Sequence, residues 1–296
     1  MAGPSGSDVR LLHGDARRLE AIADASVHLV VTSPPYPMIP QWDALFARLG
    51  AHDYPAMLDV LRDAWAECHR VLVPGGILAV NIGDALRSVD GEFRLWPNHA
   101  HTLAAAEEVG FRSLPYILWK KPTNKPNAFL GSGFLPPNAY VTLDCEYILL
   151  FRKGRLRRLP AHDPGRSASR FSRAERDRWF SQIWDDVRGA PQRDGARRTA
   201  AFPLEIPERL VRMFSVIGET VLDPFAGTGT TLEAARRTGR NAVGVEWDLP
   251  TYRALVTKVR APEWGVAPRS GAAATVAPGA RPRRRRPDGG TGARTG

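Results

Sequence analysis

The chain has 296 residues, 43% of them hydrophobic and 24% charged, which is an ordinary composition for one large globular domain or two modest ones. No apolar run approaches the roughly 20 residues that span a bilayer, and the N-terminal stretch lacks an apolar secretion signal, so we expect a cytoplasmic protein with no membrane contact. Only two cysteines occur, far apart and without metal-ligand spacing. They exclude a disulfide framework and indicate no metal site.

Positive charge is concentrated in two segments of the chain. The net charge is +10, to which residues 152–198 contribute +8 and residues 261–296 contribute +5, so the remaining residues sum to −3. A near-neutral body with two basic segments predicts a polyanionic partner, because lysine and arginine neutralise phosphates.

The predicted elements alternate between strands and helices. Before residue 152, strands are expected at Leu11–His13, Val27–Thr32, Ile77–Ile82, Tyr116–Trp119 and Tyr147–Phe151, and helices at Tyr54–Leu72 and His99–Val109. After it, strands are expected at Val221–Asp223 and Asn241–Glu246, and helices at Ala174–Phe180, Pro207–Phe214, Thr230–Thr238 and from Pro250 onward. This alternation predicts an α/β fold with a doubly wound, mostly parallel sheet.

Two segments depart from this α/β texture. Residues 152–199 are rich in arginine and poor in apolar residues, so we expect mostly loop on a basic face. Residues 261–296 consist mainly of Ala, Pro, Gly and Arg, and we expect a disordered basic tail because they cannot bury enough apolar surface to offset the entropy of ordering.

A glycine-rich loop joins a strand to a helix over residues Thr220–Thr231. Gly227 and Gly229 allow a tight turn and close approach to a ligand at the carboxyl end of the strand. The loop has no lysine of a phosphate-binding loop, and Leu232 stands where a dinucleotide fingerprint has its third glycine. The next strand ends at Glu246, whose carboxylate can accept both ribose hydroxyls of a nucleoside. A structural turn with a surface acid would explain these residues equally well.

The buried strand Val27–Thr32 runs directly into Ser33, Pro34, Pro35 and Tyr36. Two prolines stiffen the turn and leave carbonyl acceptors without N–H donors. The serine hydroxyl and such a carbonyl can accept hydrogen bonds from an exocyclic amino group and aim its lone pair at an electrophilic methyl group. Tyr36 offers a flat face on which an extruded base could stack. An ordinary turn with a packed tyrosine is the alternative.

Together, the two motifs resemble the S-adenosylmethionine-dependent amino-methyltransferases of DNA, in the class whose catalytic motif precedes the cofactor motif. Other similar stretches are His13–Asp15, Arg70–Ile77, Asn81–Asp84, Trp119–Pro122, Ile183–Asp185 and Ala201–Pro203. The match spans roughly residues 9–260. Arg198 stands where the family often has a histidine, and Trp247 replaces a smaller apolar residue; both departures concern the cofactor edge.

The resemblance implies a Rossmann-like methyltransferase fold in permuted order, with a seven-stranded sheet. Residues 1–151 would be the catalytic half with a recognition insertion at 123–138, residues 152–199 a target-recognition region, and residues 200–260 the cofactor-binding half. It also implies S-adenosyl-L-methionine as cofactor without a metal, double-stranded DNA as partner, and a cognate restriction endonuclease as a further candidate partner.

The roles of family residues fall on matching positions of this chain. The target base would lie against Ser33, Pro34, Pro35 and Tyr36. The cofactor would contact Asp15, Phe202, Asp223, Phe225, Gly227, Thr228, Gly229, Thr230 and Glu246. Within that set, the resemblance implies that Asp15 and Phe202 hold the adenine, Glu246 the ribose, and the glycine-loop residues the methionine part.

Serine before Pro-Pro-Tyr is typical of members that methylate cytosine N4, whereas aspartate is typical of adenine N6 enzymes. We therefore expect a cytosine-N4 methyltransferase, with adenine N6 as the alternative. Cytosine C5 methylation is disfavoured because neither Cys68 nor Cys145 has the setting of a catalytic nucleophile. Two further alternatives are an RNA amino-methyltransferase, against which the order of the motifs argues, and a non-catalytic DNA-binding protein, against which the intact glycine loop argues.

Overall fold

The computed structural model of the chain describes residues 7–121, 141–189, 202–261 and 264. Its strands are β1 (Val9–His13), β2 (Val27–Thr32), β3 (Leu72–Ile82), β4 (Ala85–Val89), β5 (Glu92–Trp96), β6 (Phe111–Lys120), β7 (Cys145–Lys153), β8 (Ile183–Trp184), β9 (Thr220–Asp223) and β10 (Asn241–Glu246). Its α-helices are α1 (Asp43–Arg48), α2 (Tyr54–Val71), α3 (Asn98–Val109), α4 (Pro164–Ala168), α5 (Arg173–Trp179), α6 (Glu205–Phe214), α7 (Thr230–Arg237) and α8 (Leu249–Val259), and a 3₁₀ turn covers Pro40–Trp42.

Eight of these strands form one sheet in the order β1-β10-β9-β2-β3-β7-β6-β8, and β4 and β5 form a separate antiparallel pair. Within the large sheet, β7 runs antiparallel to both of its neighbours and the other pairings are parallel. The predicted α/β, doubly wound, mostly parallel fold is confirmed. The sheet exceeds the expected seven strands because the two-residue β8 pairs with the outer edge of β6.

The order of the strands reverses between β9 and β2. From β2 the chain proceeds to β3 on one side, and from β9 it proceeds to β10 on the other. The connections from these two strands therefore diverge, and the carboxyl ends of β2 and β9 flank a crevice. Thr32 and Asp223, which end these strands, are both buried.

The core lies on both faces of the sheet. On one face, α6 and α7 contribute Ile206, Leu210 and Leu232. On the other, α2 contributes Trp65 and Cys68, which are fully buried. Because β2 is covered on both faces, its side chains form a nearly continuous apolar run rather than an alternating one.

The ends of the predicted elements need correction at one place in particular. Pro74, Gly75 and Gly76 do not separate helix α2 from the next strand, because β3 begins at Leu72 and passes through them. The pairing of β3 with β2 shifts register between Val27 and Leu29, so the extra residues form a bulge. Elements α1, α4, β4, β5 and β8 had no predicted counterpart. Of the two cysteines, Cys68 is buried and Cys145 is partly buried.

The first part of the basic segment lies at the amino edge of the sheet. Because β7 is antiparallel, Lys153 leaves the sheet at the end opposite the crevice. Arg157 then forms a bidentate ion pair with Glu219, which precedes β9, at 2.6 and 3.0 Å. Farther on, the Ile217 backbone N–H donates to Ser169 Oγ at 2.8 Å. These contacts hold residues 155–169 away from the carboxyl edge.

The second part of the basic segment contains α5, which agrees with the helix expected at Ala174–Phe180, but it packs into the core instead of forming a basic surface loop. Trp179, Trp184 and Val187 are buried against the sheet and α6. Arg209 of α6, 2% exposed, donates to both carboxylate oxygens of Asp186 at 3.0 and 2.8 Å. This second part of the segment therefore stabilises the fold through its buried aromatic residues and its ion pairs.

Several sequence predictions fall outside the described residues. These are Pro122, the insertion at 123–138, all of residues 190–199 including Arg198, Ala201, and the expected tail apart from Ala261 and Trp264. Trp264 is buried in the core cluster with Leu255, so packing extends beyond the predicted boundary at residue 261. No helix within the described ranges is long and apolar enough to cross a membrane.

Candidate active site

A buried hydrogen bond joins the two sequence motifs at the bottom of the crevice. Thr32 Oγ1 donates to Asp223 Oδ1 at 2.7 Å, although the two residues lie 191 positions apart. The Phe225 backbone N–H donates to the same oxygen at 3.1 Å. Burial raises the pKa of Asp223 to about 6, because these hydrogen bonds offset only part of the lost hydration. The Ser33–Tyr36 turn and the glycine loop are therefore joined through Asp223 at the bottom of the crevice.

The glycine loop depends on backbone conformations that favour glycine. Gly227 has φ +50° and Gly229 has φ +81°, and Gly229 caps the start of α7. A Cβ at Gly229 would lie 2.4 Å from Leu255 Cδ1, whereas one at Gly227 would meet nothing closer than 3.8 Å. The α8 residue Lys258 donates from Nζ to Thr228 O at 2.9 Å. The loop thus packs tightly on its α8 side and is open at Gly227.

Glu246, at the end of β10, holds the loop from its other side. Its Oε2 accepts from Gly227 N and its Oε1 from Asp248 N, each at 2.8 Å. Burial raises the pKa of this carboxyl above its ordinary value. The Trp247 backbone N–H also interacts with this carboxylate, and because a carboxylate has about four lone-pair positions, acceptor capacity remains for a ligand hydroxyl.

The two residues expected at the adenine differ in their surroundings. Asp15 follows β1, and Arg17 donates to its carboxylate from Nη2 at 2.7 Å, from Nε and from its backbone N–H. Burial favours a raised pKa for Asp15, but its hydrogen bonds and the Arg17 charge outweigh burial and lower it. Phe202 is 7% exposed and belongs to the core cluster beneath the sheet.

Arginine covers the tryptophan that departs from the family pattern. The Arg48 guanidinium lies 4.3 Å from the centre of the Trp247 ring and 3.4 Å from Asp248 Oδ1. The backbone carbonyl oxygen of Trp247 contacts Nε2 of His13, at the end of β1, at 3.1 Å. Helix α1, which follows the catalytic turn, is thereby attached to the end of β10.

The turn Ser33–Tyr36, which is the candidate catalytic turn, is arranged around the Tyr36 hydroxyl. Ser33 Oγ donates to this hydroxyl at 3.1 Å, and the hydroxyl donates to Glu146 Oε2 at 3.1 Å. Burial, followed by the Glu146 charge, raises the pKa of Tyr36 well above its ordinary value, so the phenol stays protonated. The Tyr36 side chain is 8% exposed and Pro34 and Pro35 are buried, which leaves Ser33 as the partly exposed member of the turn.

Three further polar residues, to which the sequence assigned no role, lie around this hydroxyl: Asn81, Lys121 and Glu146. Together with Ser33 and Tyr36 they form what we call the Glu146 cluster. Asn81, at the end of β3, donates from Nδ2 to the Tyr36 hydroxyl at 2.8 Å and to Glu146 Oε2 at 2.7 Å. Lys121 forms an ion pair with Glu146 Oε1. In the sequence, Glu146 is marked only as an acid that precedes the apolar residues of β7. It lies beside the crevice because β7 is antiparallel to β3, so that the start of β7 is next to the end of β3.

Comparisons with known proteins find DNA methylases that are similar to most of this chain. The profile of the N6_N4_Mtase family, described as DNA methylase, matches residues 27–256. The Type II methyltransferase M.MjaI of Methanocaldococcus jannaschii is 55% identical over 265 residues, which cover 81% of this chain and 87% of that protein. The Type II methyltransferase M.MthZI of Methanothermobacter thermautotrophicus is 43% identical over 258 residues, which cover 81% of this chain and 73% of that protein.

Solved structures are similar in the same region. TTHA0409 of Thermus thermophilus, a candidate DNA modification methylase crystallised with S-adenosyl-L-methionine, superposes with a TM-score of 0.69 at 42% identity, over 85% of this chain and 93% of that one. The cytosine-N4-specific PvuII DNA methyltransferase superposes with a TM-score of 0.61 over 85% of this chain and 86% of that one. At 19% identity, the second likeness shows the fold alone.

Proposed function

The chain belongs to the N6/N4 DNA methylase family, and on this basis we propose that it transfers a methyl group from S-adenosyl-L-methionine to the N4 amino group of cytosine in double-stranded DNA. The observation that carries the proposal is the buried bond between Thr32 and Asp223, because it brings an amino-accepting turn next to a nucleoside-binding loop. The Type II names of the relatives favour a restriction-modification system with a cognate endonuclease. Such a role belongs in the cytoplasm.

The residues around the glycine loop fit S-adenosyl-L-methionine. Asp223 is a buried carboxylate with no cationic partner among the described residues, as required to receive the ammonium of the methionine part. Glu246 retains acceptor capacity for a ribose hydroxyl, and a Cβ at Gly227 would meet nothing closer than 3.8 Å, which leaves room for a ligand. Phe225, Thr228 and Thr230 line the same loop, and Asp15 and Phe202 would contact the adenine. Once bound, the cofactor supplies an activated sulfonium methyl group, and the proposal needs no metal.

The candidate catalytic turn would orient the target amino group for methyl transfer. A base must leave the duplex to reach the crevice, since an exocyclic amino group is otherwise paired within the stack. Ser33 Oγ and the Pro34 carbonyl would each accept one amino hydrogen, which turns the nitrogen lone pair towards the methyl group. Pro35 stiffens the turn, and the small part of Tyr36 that remains exposed would limit how the base sits.

We assign target recognition to segments that flank the carboxyl edge. Lys121 follows β6 and forms the ion pair with Glu146 at the carboxyl edge, and the insertion at 123–138 comes next in the sequence, which supports a recognition role for it. Among the described residues of 152–199, the part that follows β8 starts at this edge, because β8 pairs with the carboxyl end of β6. Residues 155–169 would contribute at most distant phosphate contacts.

The test is to incubate the protein with labelled S-adenosyl-L-methionine and unmodified duplex DNA of mixed sequence, and to identify modified nucleosides by mass spectrometry. We expect N4-methylcytosine, and Ser33→Ala protein serves as the control for a contaminating methyltransferase. N6-methyladenine would overturn the cytosine assignment and keep the reaction. Label that enters only RNA would overturn the substrate class, and binding of DNA without transfer would leave a non-catalytic protein.

A further inference from the structure

The Glu146 cluster carries an inference that rests on the proposed function and goes beyond it. We infer that Glu146 is a positioning residue that makes Ser33 an acceptor for the target amino group, and that it receives, through Tyr36 and Ser33, the proton released by that group. Glu146 lies on β7, far in sequence from both motifs, and its side chain is 12% exposed.

The direction of each hydrogen bond follows from counting donors and acceptors at the Tyr36 hydroxyl. A phenol has one hydrogen and two lone pairs. The Glu146 carboxylate only accepts, so Tyr36 must direct its hydrogen there. The Asn81 amide nitrogen only donates, so it occupies one lone pair. Ser33, at 3.1 Å, can therefore only donate into the remaining lone pair.

The orientation of Asn81 is itself fixed by the carboxylate. Its two amide hydrogens point to Glu146 Oε2 and to the Tyr36 hydroxyl, and a flipped amide would set its oxygen against an anion. Lys121 holds the other carboxylate oxygen. A Cβ at Gly83 would lie 3.2 Å from both Glu146 Cγ and Tyr36 Cε2, so a glycine there lets these side chains meet. These contacts are consistent with one assignment of donors and acceptors among Ser33, Tyr36, Asn81 and Glu146.

The consequence for Ser33 is that its hydroxyl hydrogen is committed inward. Its lone pairs are therefore free on the partly exposed side of the turn, where a target amino group would arrive. Without Glu146, the Tyr36 hydrogen could turn towards Ser33, and Ser33 could then turn its own hydrogen towards the amino group. Two donors would then face each other, and the base would be held in an unproductive orientation.

The same chain of hydrogen bonds accounts for the released proton. The amino nitrogen forms a bond to the methyl carbon, and the carbon–sulfur bond breaks with its electron pair remaining on sulfur. The nitrogen then loses a proton to Ser33 Oγ, while the Ser33 proton passes to Tyr36 and the Tyr36 proton passes to Glu146 Oε2. The serine, the phenol and the methylated base end neutral, and the Glu146 carboxyl later returns its proton to water.

The experiment measures single-turnover methyl transfer to duplex DNA by wild-type, Glu146→Gln, Tyr36→Phe and doubly substituted proteins. Glutamine keeps the size and an acceptor oxygen at position 146 but takes up no proton at neutral pH. We expect each single variant to be about 100-fold slower, within the range for general acid–base groups, with unchanged affinity for S-adenosyl-L-methionine. The double variant should be no slower than the slower single variant, because the residues act as one unit.

Glu107→Gln is the matched control, since Glu107 is exposed on α3 and bonds only Ser113 among the described side chains. Its transfer rate should equal that of the wild type. Equal rates for wild-type and Glu146→Gln proteins would overturn the inference alone, as would multiplying effects in the double variant. If Glu146→Gln fails to fold, Tyr36→Phe at the wild-type rate overturns it equally. No transfer by the wild type would overturn the proposed function and the relay with it, whereas transfer to adenine would change only the target.

Discussion

Replacement of Asp223 by asparagine should stabilise the ligand-free protein and abolish most of its affinity for S-adenosyl-L-methionine. Asp223 is 3% exposed, and burial raises its pKa from 3.8 to about 6. At about 1.4 kcal/mol for each pKa unit, keeping this group ionised costs the folded protein about 3 kcal/mol at pH 7. Asparagine keeps an acceptor for Thr32 and Phe225 and carries no charge, so it avoids that cost.

The sign of the pH dependence follows from proton binding. Since the folded carboxyl holds its proton up to about pH 6 and the unfolded one only to about pH 4, the folded state binds more protons between these values. The contribution of Asp223 to stability therefore falls as the pH rises through this window and is constant above it. The advantage of Asp223→Asn should grow from about 2 kcal/mol at pH 5 to about 3 kcal/mol at pH 7.

Urea denaturation of both proteins at pH 5 and pH 7 measures this difference, and calorimetry measures cofactor binding under the same conditions. Wild-type affinity for S-adenosyl-L-methionine should be about tenfold weaker at pH 5 than at pH 7, because only the ionised carboxyl receives the ammonium. The Asp223→Asn protein should bind weakly at both values. Equal stability of the two proteins at pH 7, or cofactor affinity that Asp223→Asn leaves intact, would refute the reasoning.

Asp186→Asn provides a control of opposite sign. Hydrogen bonds from Arg209, stronger in effect than burial, lower the pKa of Asp186 to about 2. Its ionised form therefore stabilises the protein above about pH 4, and this contribution is lost as the pH falls towards 2. Asp186→Asn should destabilise the protein at pH 7 and leave cofactor affinity unchanged. If both substitutions changed the free energy of unfolding in the same direction, the cause would be a general effect of removing a negative charge.

Three more variants separate the parts of the site. Ser33→Ala should slow methyl transfer about 100-fold in a single-turnover assay while calorimetry shows unchanged cofactor affinity, because the hydroxyl bonds Tyr36 and the target base and would not bind the cofactor. Glu246→Gln should weaken cofactor binding about tenfold or more in the same calorimetry, since its new amide hydrogens face backbone N–H groups. Gly229→Ala should lower the free energy of unfolding by about 1–3 kcal/mol, because φ is +81° and Leu255 blocks the new methyl group, while Gly189→Ala, in open space, should leave it unchanged in urea denaturation.

Much of the fold follows from local patterns in the sequence. The bounds of β2 and β10 agree with those predicted, because both are short apolar runs followed by turn residues or an acid. The start of α7 at Thr230 follows from the glycines before it. The hairpin of β4 and β5 was missed, since its strands carry charged residues such as Arg87 and Glu92 and have little buried surface.

The amino-acid sequence by itself determined the order of the elements, the glycine loop and the Ser-Pro-Pro-Tyr turn, because each depends on residues close together in the chain. Only the tertiary structure decided that Glu146 completes the turn and that the basic residues 155–169 lie at the far edge of the sheet. Both outcomes result from one non-local feature, the antiparallel direction of β7. That direction brings the start of the strand to Tyr36 and Asn81 and carries its end away from the crevice, and no local pattern in the sequence specifies it.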